Sequence, residues 1–115
     1  MGKLPTAYTR FQRTFPRVWT AYDRLGATAH QEGPLDPKTR ELVKLGMAIG
    51  GRLEGAVRSH AHRAREAKAT PAEIAHVVAL AVTTVGFPTA VAAFTWVADV
   101  LRGRGPTGRG RKRGR

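Results

Sequence analysis

His60 and Glu41 are the side chains of this 115-residue sequence whose types and neighbours best suit proton transfer. His60 falls in the series Leu53, Ala56, Val57, His60, Ala61, Ala64, which has the spacing of one helical stripe. An imidazole titrates near neutral pH, so at this position it reads as a general acid/base. A small substrate would reach it through the space left by Ala56 and Ala64, one turn away on either side. The other reading is a core histidine satisfied by Glu41 or by a backbone carbonyl. Glu41 shares a helix face with Leu45 and Ala48, near the start of what reads as the most apolar helix. A carboxylate buried there is costly unless it is paired or protonated. A hydrogen bond between Glu41 and His60 would satisfy both groups and form a dyad able to move protons. Otherwise Glu41 is an exposed acid favoured by the helix N-terminus.

Other polar groups carry less chemistry. His60 and His62 are two apart, which on a helix sends them in different directions and makes a poor metal site. His76 stands among apolar neighbours and reads as a hydrogen-bonded packing residue. Ser59 adjoins His60, but adjacent helical side chains diverge and no strained elbow surrounds the serine, so the two are not a triad. Phe94 and Trp96 read as packing or interface residues. Gly50-Gly51 reads as a helix stop, with no phosphate-loop lysine after it. These residues point to no metal and no cofactor.

Composition narrows the classes further. The chain has no cysteine, which excludes disulfides, thiolate metal sites and a resident thiol nucleophile. Twenty Lys and Arg face eight Asp and Glu, for a formal charge of +12. Of this, +7 lies in residues 102–115, which hold no acid and are interrupted by glycines and Pro106. That stretch reads as a disordered basic tail, following a helical domain over residues 1–101. It is either a weak electrostatic contact for nucleic acid or another polyanion, or a solvated extension, and it has no aromatic residue on which bases could stack. The start, Met1-Gly2-Lys3-Leu4-Pro5-Thr6, lacks an apolar run and a small-residue cleavage site, so the expected location is cytoplasmic.

The elements that must hold Glu41 and His60 are all helical. Phe11, Phe15, Val18, Trp19, Tyr22 and Leu25 make a first helix face that would give its aromatics to the core, with Pro16 near the first turn of its main segment. Asp36 and Pro37 open a second helix, apolar on every side past Lys44 and therefore central. A third covers about 52–67, with Glu54 and Arg58 at the spacing of an exposed ion pair. The capping box Thr70-Pro71-Ala72-Glu73 opens a fourth, ending near Gly86, and Pro88 starts a fifth that runs to about Leu101. Residues 74–98 carry no formal charge, but Gly86, Pro88, four threonines and His76 favour two buried helices over a membrane span. The expected architecture is an all-α bundle of five to six helices. Helices this apolar in so short a chain predict self-association into a homo-oligomer.

The motifs Arg40-Glu41-Leu42-Val43-Lys44-Leu45, Ser59-His60-Ala61 with Arg63-Ala64, Ala69-Thr70-Pro71-Ala72-Glu73-Ile74 and Gly86-Phe87-Pro88, in this order, resemble the carboxymuconolactone decarboxylase superfamily, which includes the alkyl hydroperoxidase D proteins. The resemblance runs from about Phe11 to Leu101. It implies an alkyl hydroperoxidase D-like fold and assembly into trimers or hexamers. The hydroperoxidase branch resembles a pattern of Glu, Cys-x-x-Cys and a His four residues on. Set on His60, the two sulfur positions hold Leu53 and Ala56 and the acid is Glu41. Peroxide reduction in that branch needs an attacking and a resolving thiol, which leucine and alanine do not supply. The decarboxylase branch resembles a pattern with a second His and a Glu shortly before His60. Here Glu54 is displaced and no His stands close before it.

The sequence therefore predicts a cysteine-free member of this superfamily with Glu41 and His60 as catalytic residues. Lyase- or isomerase-type acid/base chemistry on a small carbonyl or lactone compound is the class open to it. The alternative is a non-catalytic homo-oligomer that binds nucleic acid or another polyanion through its multivalent tails.

Overall fold

Proline and capping residues set where the helices of this chain begin. In the computed structural model, which describes residues 6–103, four helices carry proline in their first two positions: α2 (Pro16–Gln31), α3 (Pro37–Gly50), α5 (Pro71–Val85) and α6 (Phe87–Leu101). A proline there forfeits only an N–H that has no intrahelical partner. The other two helices are α1 (Thr6–Thr14) and α4 (Glu54–Glu66). The Asp36 side chain caps α3 by accepting from the Thr39 N–H. Thr70 and Glu73 form the reciprocal capping box on α5, at 3.0 and 2.9 Å. The described residues are all-α, without strands.

The chain divides into two compact units at the junction of Leu35 and Asp36. In the first, α1 and α2 are separated by Phe15, whose φ of −129° and ψ of 67° leave the helical region ahead of Pro16. Ring contacts link Tyr8 to Trp19, Phe11 to Phe15 and Trp19 to Tyr22, with centroids 6.3, 5.1 and 5.9 Å apart. Contrary to the expected core role, no residue of either helix is buried, and Tyr22 and Leu25 are each 64% exposed. One pair of short helices gives such side chains partners on one side only.

The second unit holds α3 to α6. Leu45, Ile49, Val57, Ile74 and Val97 are fully buried at its centre, each worth about 1.5–3 kcal/mol on burial. Ala48, Ala61, Ala64, Ala90 and Ala93 fill the spaces between them, and side chains this small let helix axes approach closely. α4 packs against both α3 and α6, and α5 packs against α3 and α6. α3 is less enclosed than its composition predicts: Leu45, Ala48 and Ile49 are buried, but Met47 is 69% exposed.

The turns differ from expectation in one respect. α3 ends at Gly50 with Gly51 as its cap, where the sequence expected the stop, but the left-handed residue that closes the turn is Arg52. Arg52 adopts φ +53°, with its N–H bonded to the Ile49 carbonyl and the Leu53 N–H to that of Ala48. α4 ends in the same way on Lys68, at φ +78°, through bonds from Lys68 to Arg65 and from Ala69 to Ala64. Both are Schellman closures with a basic residue in the place glycine usually takes. Glycine does serve between α5 and α6, where Gly86 takes φ +103° and lets the two helices join through one residue. α6 accordingly starts at Phe87, one residue before the Pro88 at which the sequence opens it.

Candidate functional site

α3 and α4 run side by side, joined by the short turn at 51–53, so that the first half of α3 comes beside the middle of α4. Glu41 is in the second turn of α3 and His60 in the second turn of α4. Glu41 Oε1 and His60 Nδ1 are 2.8 Å apart, with 10% and 16% of their side chains exposed. The structure thus brings together the two residues that the sequence singled out.

The charge on Glu41 is set by competing effects. Burial pushes its carboxyl upward. The hydrogen bond from His60, with the positive charges of His60, Lys44 and Arg63, outweighs burial and holds Glu41 below the ordinary carboxylate range. A carboxylate has no proton to give, so the proton between the two groups belongs to Nδ1, which donates to Oε1. In the neutral ring this leaves the lone pair on Nε2. The acid therefore selects the tautomer and orientation of the base, as acid–histidine pairs do in hydrolytic sites.

Lys44 and Arg63 were not singled out from the sequence, although the signal was present. Each sits three residues after a member of the pair, Lys44 after Glu41 and Arg63 after His60, which on a helix is one turn along the same face.

Two further expectations are corrected. Arg58 does pair with Glu54, but it is not part of an exposed pair: it is only 7% exposed. Its Nε donates to Glu54 Oε2 at 3.0 Å and its Nη1 to Asp99 Oδ2 on α6 at 3.0 Å. The Glu–Arg spacing showed the first bond; the second joins residues 41 apart in sequence, where no local pattern reaches. His76, expected in packing, is exposed on α5 because the inner face of that helix is taken by Ile74 and Val78.

The two positions that the resemblance to the hydroperoxidase pattern assigns to cysteine hold Leu53, 57% exposed just before α4, and Ala56, half-buried one turn before His60. His62 lies 3.3 Å from Glu66 on its own helix. Among the described residues no group of three or more His, Cys, Asp or Glu is placed to hold a metal ion. Nor is any helix among them long and apolar enough to cross a membrane.

Comparison with known proteins adds three findings. The profile of the carboxymuconolactone decarboxylase family matches residues 15–99. A crystal structure of a carboxymuconolactone decarboxylase family protein from Legionella pneumophila, in its apo form, is similar with a TM-score of 0.72 and 26% identity, over 81% of this chain and 83% of that one. An uncharacterized protein of Haemophilus influenzae is 40% identical over 52 residues, which span 45% of this chain and 46% of that protein. The chain thus matches less than half the length of that relative.

Proposed function

The chain belongs to the carboxymuconolactone decarboxylase family, and from that premise we propose that it is a thiol-independent member performing acid/base chemistry of lyase or isomerase type on a small carbonyl or lactone compound. His60 Nε2 takes a proton from a carbon next to the substrate carbonyl and returns it to a neighbouring position. Glu41 holds the ring and balances the positive charge that the imidazole gains. A positioned base of this kind typically contributes about 10²–10⁴ in rate.

The observation that carries this reading is the 2.8 Å contact between Nδ1 and a carboxylate held ionised. The pair is largely enclosed, yet His60 keeps 16% of its side chain accessible, which suits a base that must meet a small molecule. The nearby charges of Lys44 and Arg63 favour negative charge in the vicinity, as an enolate or ring-opened lactone would present.

The test is proton exchange. Small lactones and ketones incubated with the protein in D₂O should gain deuterium next to the carbonyl, and His60→Gln should abolish the gain. Equal incorporation with wild type and variant across the panel would defeat the proposal. Hydrogen peroxide with a thiol reductant serves as a control, and no thiol-dependent turnover is expected from a chain without cysteine.

Self-association into a trimer or hexamer is part of the same proposal. It is supported by exposed Phe87 (65%), Phe94 (55%) and Leu80 (57%) on the uncharged α5–α6 segment, and by the exposed aromatics of α1 and α2. Light scattering at micromolar concentration tests it; a monomer would refute it.

A further inference from the structure

We infer that Arg58 is a positioning residue for the Glu41–His60 pair: bridging Glu54 and Asp99, it fixes the roll of α4 against α6 so that His60 meets α3. Only its relevance to turnover rests on the function proposed above. Its effect on the geometry of the pair stands apart from that reading.

The need for such a device follows from what α4 packs with. Its buried apolar residues are Val57, Ala61 and Ala64. A strip this small and smooth gives hydrophobic burial but little shape, and a nearly cylindrical surface only weakly specifies rotation about the helix axis. The imidazole needs that rotation fixed. Its ring lies about 6 Å from the axis of α4, so a roll of roughly 10° carries Nδ1 about 1 Å. From 2.8 Å, a shift of that size takes the contact with Glu41 beyond hydrogen-bonding range.

Arg58 supplies the missing direction. It precedes His60 by two residues and points to the side of α4 that faces α6, while His60 points toward α3. Glu54, one turn earlier on the same helix, accepts from Nε and holds the guanidinium in one conformation. Nη1 then reaches Asp99, whose other oxygen is bonded by Arg102 at 3.3 Å. The Arg58 and Asp99 side chains are 8% and 13% exposed. An ion pair this enclosed gains little net stability, because desolvation offsets most of its attraction, but it is strongly directional. Its value here is orientation.

The test reads the proton between His60 and Glu41 by NMR in ¹⁵N-histidine protein. In wild type the Nδ1–H should be visible and slow to exchange with water. Arg58→Met keeps much of the side-chain volume and removes the direction; it is expected to speed that exchange about tenfold or more, or to lose the resonance. Ile74→Val, which trims the core on α5 without touching the ion pair, controls for lost stability and should leave the proton as in wild type. Should Arg58→Met fail to fold, Asp99→Asn decides: it keeps the shape and the Arg58–Glu54 bond, and should move the resonance in the same direction. If the folded variant shows wild-type exchange while its melting temperature falls, Arg58 is a stability element only and the inference is overturned. Absent deuterium incorporation by wild type would end the proposed function and leave this reading of the proton untouched.

Discussion

A double-mutant cycle on Glu41 and His60 measures the central pair without a substrate. Glu41→Met removes the carboxylate at similar volume, His60→Ala removes the ring, and the double variant removes both. The wild-type contact is a 2.8 Å hydrogen bond to an ionised acceptor, with the two side chains only 16% and 10% exposed. A bond to a charged group contributes about 1.5–3 kcal/mol, more than a neutral one. Glu41→Met alone leaves Nδ1 without its acceptor in an enclosed place, and should cost about 2 kcal/mol. His60→Ala strands the carboxylate and adds a cavity. The double variant carries neither stranded group, so it should be more stable than the sum of the single losses predicts, with a coupling of about 1.5–3 kcal/mol. Urea denaturation at pH 7 followed by helical circular dichroism gives each value. A coupling below about 0.5 kcal/mol, the scatter of independent sites, would mean that the contact is energetically idle and that the acid does not hold the base.

Three other outcomes are expected. Glu41 titrates below its ordinary 4.5 in the folded chain, so the native state binds fewer protons than the unfolded one; its contribution is complete above pH 4.5 and is lost as pH falls through the lower folded value. Asp36, held low by hydrogen bonds from Thr39, and Glu73, held low by Thr70 and Lys38, act in the same direction, so the stability difference between wild type and Glu41→Met at each pH isolates Glu41 and should shrink below pH 4.5. Lys68→Gly should raise stability by about 1 kcal/mol by relieving the left-handed backbone at φ +78°. Arg52→Gly should gain less, since it also gives up the 2.7 Å bond from Arg52 Nη1 to Thr89, and thermal melts of the two variants rank them. Removing residues 104–115, which lie outside the described residues, keeps the Arg102–Asp99 ion pair and deletes six basic side chains. If these bind polyanions, log affinity for single-stranded RNA against log salt has a slope of about −4 that truncation abolishes, and an unchanged slope rejects the tail as the binding element.

What the sequence disclosed and what it hid follow the range of the forces involved. Asp36, Pro37 and the Thr70–Glu73 box act within one turn, and each helix start they mark was legible. Glu41 and His60 were legible because a polar residue in an apolar stripe demands a partner, and few partners were available. Arg58 was half legible: Glu54 is four residues away, whereas Asp99 reaches it only after α6 has folded back. The stops near Gly50-Gly51 and Ala67 were legible, but the left-handed turns at Arg52 and Lys68 were not, because such backbone is usually assigned to glycine and here it falls on basic residues within the closing hydrogen bonds. The exposed aromatics of α1 and α2 were misjudged for a related reason. Periodicity shows which face of a helix is apolar, but not whether one chain holds enough surface to cover it.

The absence of cysteine changes what the pair can do. In the hydroperoxidase pattern that the sequence resembles, the histidine serves a cysteine of the same chain, so the group it deprotonates is always present. Here the positions one and two turns before His60 hold Ala56 and Leu53, which have no proton of useful acidity. On the function proposed above, the lone pair on Nε2, left there by the bond from Nδ1 to Glu41, acts on a molecule that arrives from solvent. A purely structural pair would have no use for access, and a working one requires it. Filling that access is therefore decisive. Ala56→Phe places bulk one turn from His60 at a half-buried position. It should block deuterium incorporation into the lactone or ketone panel while leaving the Nδ1 proton and the Glu41 coupling as they are. Incorporation undiminished by that side chain would place the base elsewhere.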